Sequence, residues 1–211
     1  FAVAYKGVAI VCMMPMKGGK STLMLELLKN PDVRMISDDI PFINRSGEVL
    51  PCPIKIGLDR WDNQLEIFEP EKNIYQMKRE HFNTKTLVCL EGLSEKIVGA
   101  DEAFKEVILI EAFRFNSKDS QLISSPWNKS FKGLIHHGVI GIGLPMVVEY
   151  FWEFGVRDFL VKANIFCSRL FSFFVFSVKV KRYQLNLGKD SSNASRAILD
   201  MVSAQFKTRQ Q

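Results

Sequence analysis

The stretch Ala9-Ile-Val-Cys-Met-Met-Pro-Met-Lys-Gly-Gly-Lys-Ser-Thr-Leu23 decides how the rest of the chain is read. Residues 7–12 form a short apolar run suited to a buried strand, and residues 23–29 have the leucine density and straight-chain side chains of a helix. Between them lies a loop ending in Gly18-Gly19-Lys20-Ser21-Thr22. Asn30-Pro31 closes the helix, because a residue before proline is pushed out of the helical region. Strand, glycine-bearing loop and helix in that order make a phosphate cradle. Loop amides and the helix N-terminus point at anionic oxygens, the lysine reaches the terminal phosphates, and the hydroxyl holds magnesium. Lys17, Gly18, Gly19, Lys20, Ser21 and Thr22 are therefore the candidate nucleotide-binding residues, with Ser21 also a metal ligand. The pattern G-x-x-x-x-G-K-[ST] is broken only at its first position, where Met14 stands in place of glycine. The competing reading is an ordinary strand-to-helix turn with an exposed lysine.

A phosphate loop needs metal ligands and, for transfer to a hydroxyl, a base. Residues 33–37 read as the next strand, and Asp38-Asp39 stands at its end. Paired carboxylates there would lie at the carboxyl edge of the sheet, where α/β folds place their ligands. Alternation along a strand aims the two in different directions, so one aspartate approaches magnesium held by Ser21 and the other accepts the proton of an incoming hydroxyl. A solvated Asp-Asp turn is the plainer alternative.

The 211 residues suffice for one well-buried domain, and 47% apolar with 24% charged residues is a globular composition. Seventeen phenylalanines predict a substantial core or an interface. A net charge of +5 and a pI near 9.0 favour anionic ligands, but no dense basic stripe points to nucleic acid. Cys12, Cys52, Cys89 and Cys167 are scattered without metal-ligand spacing, which predicts free thiols in a reducing, cytoplasmic compartment. The chain begins at Phe1 rather than methionine, so we expect an upstream element outside it.

Further along, residues 40–44 and 49–50 read as a hairpin about the turn 45–48, and Pro51-Cys52-Pro53 ends it. Residues 61–80 are polar and irregular. Residues 86–90 and 106–111 are strand candidates, the second the more hydrophobic and central. A helical pattern runs from Ser130 to Leu160 and places Val147, Val148, Phe151 and Phe154 on one face. His136-His137 cannot both face one metal, since helical neighbours project about 100° apart, and they read as a polar helix face ahead of the turn 138–143. Residues 165–178 are too short for a bilayer crossing of roughly 20 residues and contain Arg169. They read as a helix end followed by a buried strand, and no membrane partner is expected. A strand over 178–187, a turn at 188–190 and a helix from about Ser192, capped by Ser192 or Asn193, complete the chain.

The run Ile36-Ser-Asp-Asp-Ile-Pro-Phe-Ile-Asn-Arg-Ser-Gly-Glu-Val-Leu-Pro-Cys-Pro53 resembles the region after the phosphate loop in HPr kinase/phosphorylase-related proteins. Strand, Asp-Asp pair, hairpin and proline-marked exit come in the same order. The likeness continues through residues 107–114, 141–145 and 183–190, so it covers most of the chain. It implies one domain over residues 1–211 with a phosphoenolpyruvate-carboxykinase-like P-loop core, a mixed β-sheet flanked by helices. It also implies ATP-dependent, Mg²⁺-supported phosphorylation of a serine hydroxyl, and allows a homo-oligomer. By the resemblance, Gly19 to Thr22 match the nucleotide loop, and Asp38 and Asp39 match the acidic pair for metal binding and base catalysis. Glu111 and Arg114 fall near a family segment with a glutamate and an arginine, which makes Glu111 a further metal ligand. Lys20, Asp38, Asp39 and Arg114 are then the catalytic set. Lys85 is an alternative to Arg114 for offsetting charge on the transferred group, but it lies in a mixed-charge stretch and reads first as a solvated lysine.

The chain departs from true HPr kinases at Met14 and lacks their glycine-rich signature beyond Glu111. The implied acceptor is therefore another small protein or a precursor peptide. An ABC-type or other P-loop ATPase is the first alternative, but no Ser-Gly-Gly-Gln-like signature precedes a strand ending in aspartate, and Asp38-Asp39 follows the loop too soon. A nucleotide-binding regulator without catalysis is the second.

Overall fold

The computed structural model describes residues 1–15, 18–38, 41–53, 55–58, 74–79, 82–89, 94–136 and 155–208. Six strands form the central sheet: β1 (Ala2–Tyr5), β2 (Val8–Met13), β3 (Val33–Ser37), β9 (Glu106–Arg114), β10 (Gln121–Ser124) and β11 (Lys181–Leu187). Their order is β10-β11-β9-β2-β1-β3. β11, β9 and β2 are parallel neighbours, whereas β10 and β1 run antiparallel to the strands beside them. The fold is mixed α/β, a mixed sheet flanked by helices on both faces.

The predicted first strand has an antiparallel partner that its sequence context hides. β1 and β2 are joined by Lys6 and Gly7, at φ 51° and 76°. Positive φ at both turn residues is what a tight two-residue hairpin demands. β1 then pairs on its other side with β3. Because β1 opposes both neighbours, β2 and β3 point the same way, and β2, β3, β9 and β11 all end at one edge of the sheet. The expectation that residues 106–111 are central holds, since β9 lies between β11 and β2 and buries Ile108, Leu109 and Ile110 completely.

Two hydrophobic cores sandwich the sheet. One joins Ile10, Cys12, Ile108, Ile110 and Leu185 to helices α1 (Lys20–Leu28) and α4 (Ser191–Thr208), through Leu23, Leu27, Ile198 and Val202. The other joins Val11 and Leu109 to α2 (Trp127–Leu134) and α3 (Val156–Lys179), through Leu134, Phe173 and Phe176. Lys96 secures the far end of α1, its Nζ donating to the carbonyls of Leu28, Asn30 and Pro31 at 3.2, 2.9 and 3.2 Å. Helix C-termini leave such carbonyls without intrahelical partners, and a cation is the favoured cap. The cap of α4 is Asp190, not Ser192 or Asn193 as expected. Its Oδ1 accepts the Ser192 amide at 2.9 Å, and those bonds to Ser192 hold its carboxyl below the usual range.

The predicted hairpin forms as β4 (Phe42–Ile43) and β5 (Val49–Leu50), closed by hydrogen bonds between Asn44 and Glu48. Its turn residue Gly47 has φ 75°, and a Cβ there would sit 3.0 Å from the Phe176 nitrogen of α3. Only glycine lets the hairpin lie this close. β6 (Ile56–Leu58), β7 (Ile74–Arg79) and β8 (Phe82–Val88) make a separate sheet in the order β6-β8-β7. β7 arises inside the segment expected to be irregular, because its exposed faces leave little hydrophobic periodicity to read.

The largest correction concerns residues 165–178. They are not a helix end and strand but part of α3, which is continuous for 24 residues. By length and composition alone α3 is apolar enough to cross a membrane, with mean hydropathy 1.6 over its most apolar window, only 17% of which is buried. Of the helical region expected over 130–160, α2 and the start of α3 are described. His137, the turn 138–143, Val147, Val148, Phe151 and Phe154 lie outside the described residues.

Candidate functional site

The loop after β2 closes tightly. The Gly18 amide donates to the Pro15 carbonyl at 3.0 Å, and a Cβ on Gly18 would come within 2.9 Å of that oxygen. Met14 is buried, and its Cβ and Cε lie 3.5 Å from the same point. The methionine at the missing glycine position thus packs inward beneath the loop and props it from the core side. Gly19 takes φ 98°, ψ 24°, a left-handed conformation that favours glycine, and is the N-cap of α1. No side chain caps this helix, and its first turn contains no acidic residue. The α1 N-terminus therefore presents backbone amides and a positive dipole end without a built-in anion.

Arg114 is brought to this loop. A Cβ on Gly19 would lie 3.9 Å from the Arg114 Nη1 and 3.8 Å from Leu187 Cδ2. Strand alternation explains it: Arg114 shares the α1 face of β9 with Ile108, Ile110 and Ala112. Lys20 opens the helix, and its ammonium is among the charges that hold down the thiol of Cys12, which burial pushes up to about 12. Gly18, Gly19, Lys20, Ser21, Thr22 and Arg114 accordingly gather at the carboxyl ends of β2 and β9. Lys17 and Asp39 lie outside the described residues, as does the side chain of Lys85.

Asp38 ends β3 at the same edge, two strands from β2 because β1 intervenes. Neighbouring strands lie about 4.8 Å apart, so β2 and β3 are roughly 10 Å apart. Asp38 is buried and its Oδ2 accepts the Gly57 amide of β6 at 3.2 Å, which ties the small sheet to the large one.

Glu111 also reaches this edge, in register with Met13, but on the opposite face from Arg114. It lies under α2, where a Cβ on Gly133 would run into its carboxylate, so a larger residue there would have to push Glu111 aside. Only 6% of Glu111 is exposed, and its Oε2 has no hydrogen-bond partner. Burial pushes its carboxyl above the usual range, while the charges of Lys129 and His136 pull it back. Lys129 itself donates to Gln184 of β11, which is paired with Glu111. The structure therefore groups Glu111 with the α2 side rather than with Ser21.

Among the described residues no three His, Cys, Asp or Glu side chains come together to hold a metal. Magnesium delivered with a nucleotide needs only one or two carboxylates beside the phosphates, so the loop chemistry fits it. A cleft of about 630 Å³ opens at the other edge of the sheet, between the β4–β5 hairpin, residues 100–107 and the end of α3, and contains none of the candidate residues. Sequence reasoning missed two contributors to the site: Met14 as an inward prop and Leu187 beside Gly19. No family model, no curated protein and no solved structure matches the chain.

Proposed function

We propose that the protein is an ATP-dependent kinase that transfers the γ-phosphoryl group to a serine hydroxyl of a small protein or precursor peptide in the cytoplasm. Its core is read as the phosphoenolpyruvate-carboxykinase-like P-loop type, in keeping with the resemblance to HPr kinase/phosphorylase-related proteins. One observation carries the reading: the Arg114 guanidinium stands beside the left-handed Gly19 at the uncapped α1 N-terminus. A chain with no anionic ligand has little reason to bring a cation to the positive end of a helix dipole, whereas a polyphosphate is stabilised by both.

Amides of Gly18 to Thr22 and the Lys20 ammonium hold the phosphates, and Arg114 offsets the charge that develops on the transferred group. Ser21, with a carboxylate of the Asp38–Asp39 pair, positions magnesium, which supplies charge neutralisation between the outer phosphates. Asp39 then takes the hydroxyl proton, leaving Asp38 its bond to Gly57.

That same buried bond favours a second reading, in which the chain binds nucleotide without transferring phosphate. Incubation of the chain with labelled ATP, Mg²⁺ and serine-bearing peptides separates the two. The kinase reading expects labelled peptide from the native chain and none from Lys20→Ala or Asp39→Asn. Saturable ATP binding with no labelled acceptor across a broad peptide set would establish the second reading instead.

A further inference from the structure

Met14 stands where the phosphate-loop pattern has glycine, yet the backbone there makes no demand for one. Among the described residues Lys6 is the only residue other than glycine with a positive φ, so Met14 adopts a conformation open to any side chain. The left-handed turn falls later, at Gly19. Met14 is 6% exposed and belongs to the core that contains Ile10, Cys12 and Leu23. Its Cβ and Cε both lie 3.5 Å from the point that a Cβ on Gly18 would occupy, so the side chain folds alongside that glycine. From the other side the Pro15 carbonyl accepts the Gly18 amide at 3.0 Å. Gly18, itself buried, is thus gripped from two directions one residue before the α1 N-cap.

The wall facing Gly19 is fixed as well. Arg114 and Leu187 are the last residues of β9 and β11, and the chain beyond them is stitched together. The Phe115 amide donates to the Leu187 carbonyl at 2.8 Å, the Gly188 amide to Ser120 Oγ at 3.0 Å, and the Lys189 amide to the Ser117 carbonyl at 2.9 Å. Gly188 packs so closely that a Cβ on it would come within 2.7 Å of the Lys118 carbonyl. All of these contacts are made within the chain itself.

We propose that Met14 is a positioning residue for the nucleotide. From the core side it sets the Gly18–Gly19 turn, so the amides at the α1 N-terminus are aligned by folding rather than by the phosphates. Glycine at position 14 would bring more backbone freedom and no side chain against Gly18. Ordering of the loop would then fall on the binding step and weaken it. An unbranched thioether suits the task, because it adapts to an irregular gap. The departure from the pattern therefore strengthens the site. The inference rests on the nucleotide-binding half of the proposed function and is independent of whether phosphate is transferred.

Calorimetric titration of the full chain with ATP and Mg²⁺ tests it. Met14→Gly should weaken binding by about tenfold, the scale of ordering one residue. Met14→Leu, of similar volume, should stay within about twofold of the native affinity. Val202→Ala is the control: it opens the same core beside Ser203, which bonds Tyr5 at the opposite edge of the sheet, and should destabilise the fold without changing the affinity. Should Met14→Gly not fold, hydrogen exchange in the native chain decides. The Gly18 amide should exchange at least about tenfold more slowly than in an unstructured peptide, and exchange at the peptide rate overturns the proposal. Unchanged or tighter ATP binding by Met14→Gly overturns it while leaving the nucleotide reading intact, and so does an equal loss in Val202→Ala. A native chain that binds no ATP overturns both. The Met14→Gly loss without any labelled acceptor supports the proposal and removes only the kinase reading.

Discussion

The α1–α4 face and the α2–α3 face of the sheet solve opposite problems with the same strands. On the first, apolar side chains of β9 and β2 meet Leu23, Leu27 and Ile198, and polar groups appear only at the edge, as the phosphate-type loop and Arg114. On the second, a carboxylate is buried beneath α2, and the long helix beside it leaves most of one side uncovered. One face is finished by its own chain and gathers its polar loop and Arg114 at its rim. The other holds its oddities inside and its apolar surface outside. A helix that leaves a wide apolar stripe exposed implies an external contact, whereas a closed core implies none.

Truncating leucines on the two faces should give the widest contrast. Leu27→Ala should cost about 2–5 kcal/mol because it opens a cavity in a closed core, while Leu160→Ala on the exposed stripe should stay within about 0.5 kcal/mol. Urea unfolding of both variants checks this, and equal losses would mean that the stripe is covered in the folded chain. Next, Lys20→Ala should lower phosphoryl transfer by roughly 10²–10³, the scale of losing one preorganised charge-stabilising group. The matching variant on the other face, Lys129→Ala, should change turnover little, and comparable losses would merge the two faces into one site.

Smaller in scale, Gly133→Ala should destabilise the chain by about 1–3 kcal/mol through overpacking against the Glu111 carboxylate. Combined with Glu111→Ala, most of that penalty should vanish, a coupling that a double-mutant cycle reads directly. The smallest effect is on pH dependence. The folded state raises the Glu111 pKa through burial, so it holds that proton more tightly than the unfolded chain does. The stability linked to this group is therefore full in acid and is lost as pH rises from the usual carboxylate range through the folded value. Glu111→Gln should flatten that decline, with the difference between the two proteins constant below the usual carboxylate range. A wild-type stability that instead rose with pH relative to Glu111→Gln would show that the buried carboxylate is paired after all.

Much of the fold was legible in the sequence wherever its signals are local. Residues 23–29 needed only leucine spacing, the hairpin only its turn chemistry, and β9 only its run of branched apolar residues. The second face was misread where local signals conflict. In α3, Phe and Val favour strands in isolation, and an unbroken apolar run fits either period until tertiary packing chooses. β1 was missed because four residues before a Lys-Gly turn carry too little pattern to stand alone. Glu111 and Arg114 looked like near neighbours in one motif. Three residues along a strand is an odd step, however, and it sends them to opposite faces, a separation that spacing shows only once the strand is known to run through both.

The antiparallel β1 between β2 and β3 acts as a spacer of fixed width. It holds the lysine-bearing loop and the Asp38 strand end two strand steps apart, roughly 10 Å. A lone oxyanion at the loop is too short to touch both ends of such a gauge. A polyphosphate chain carrying its own metal is long enough, so the sheet's connectivity, rather than any one side chain, would set the minimum length of ligand that can engage both banks at once.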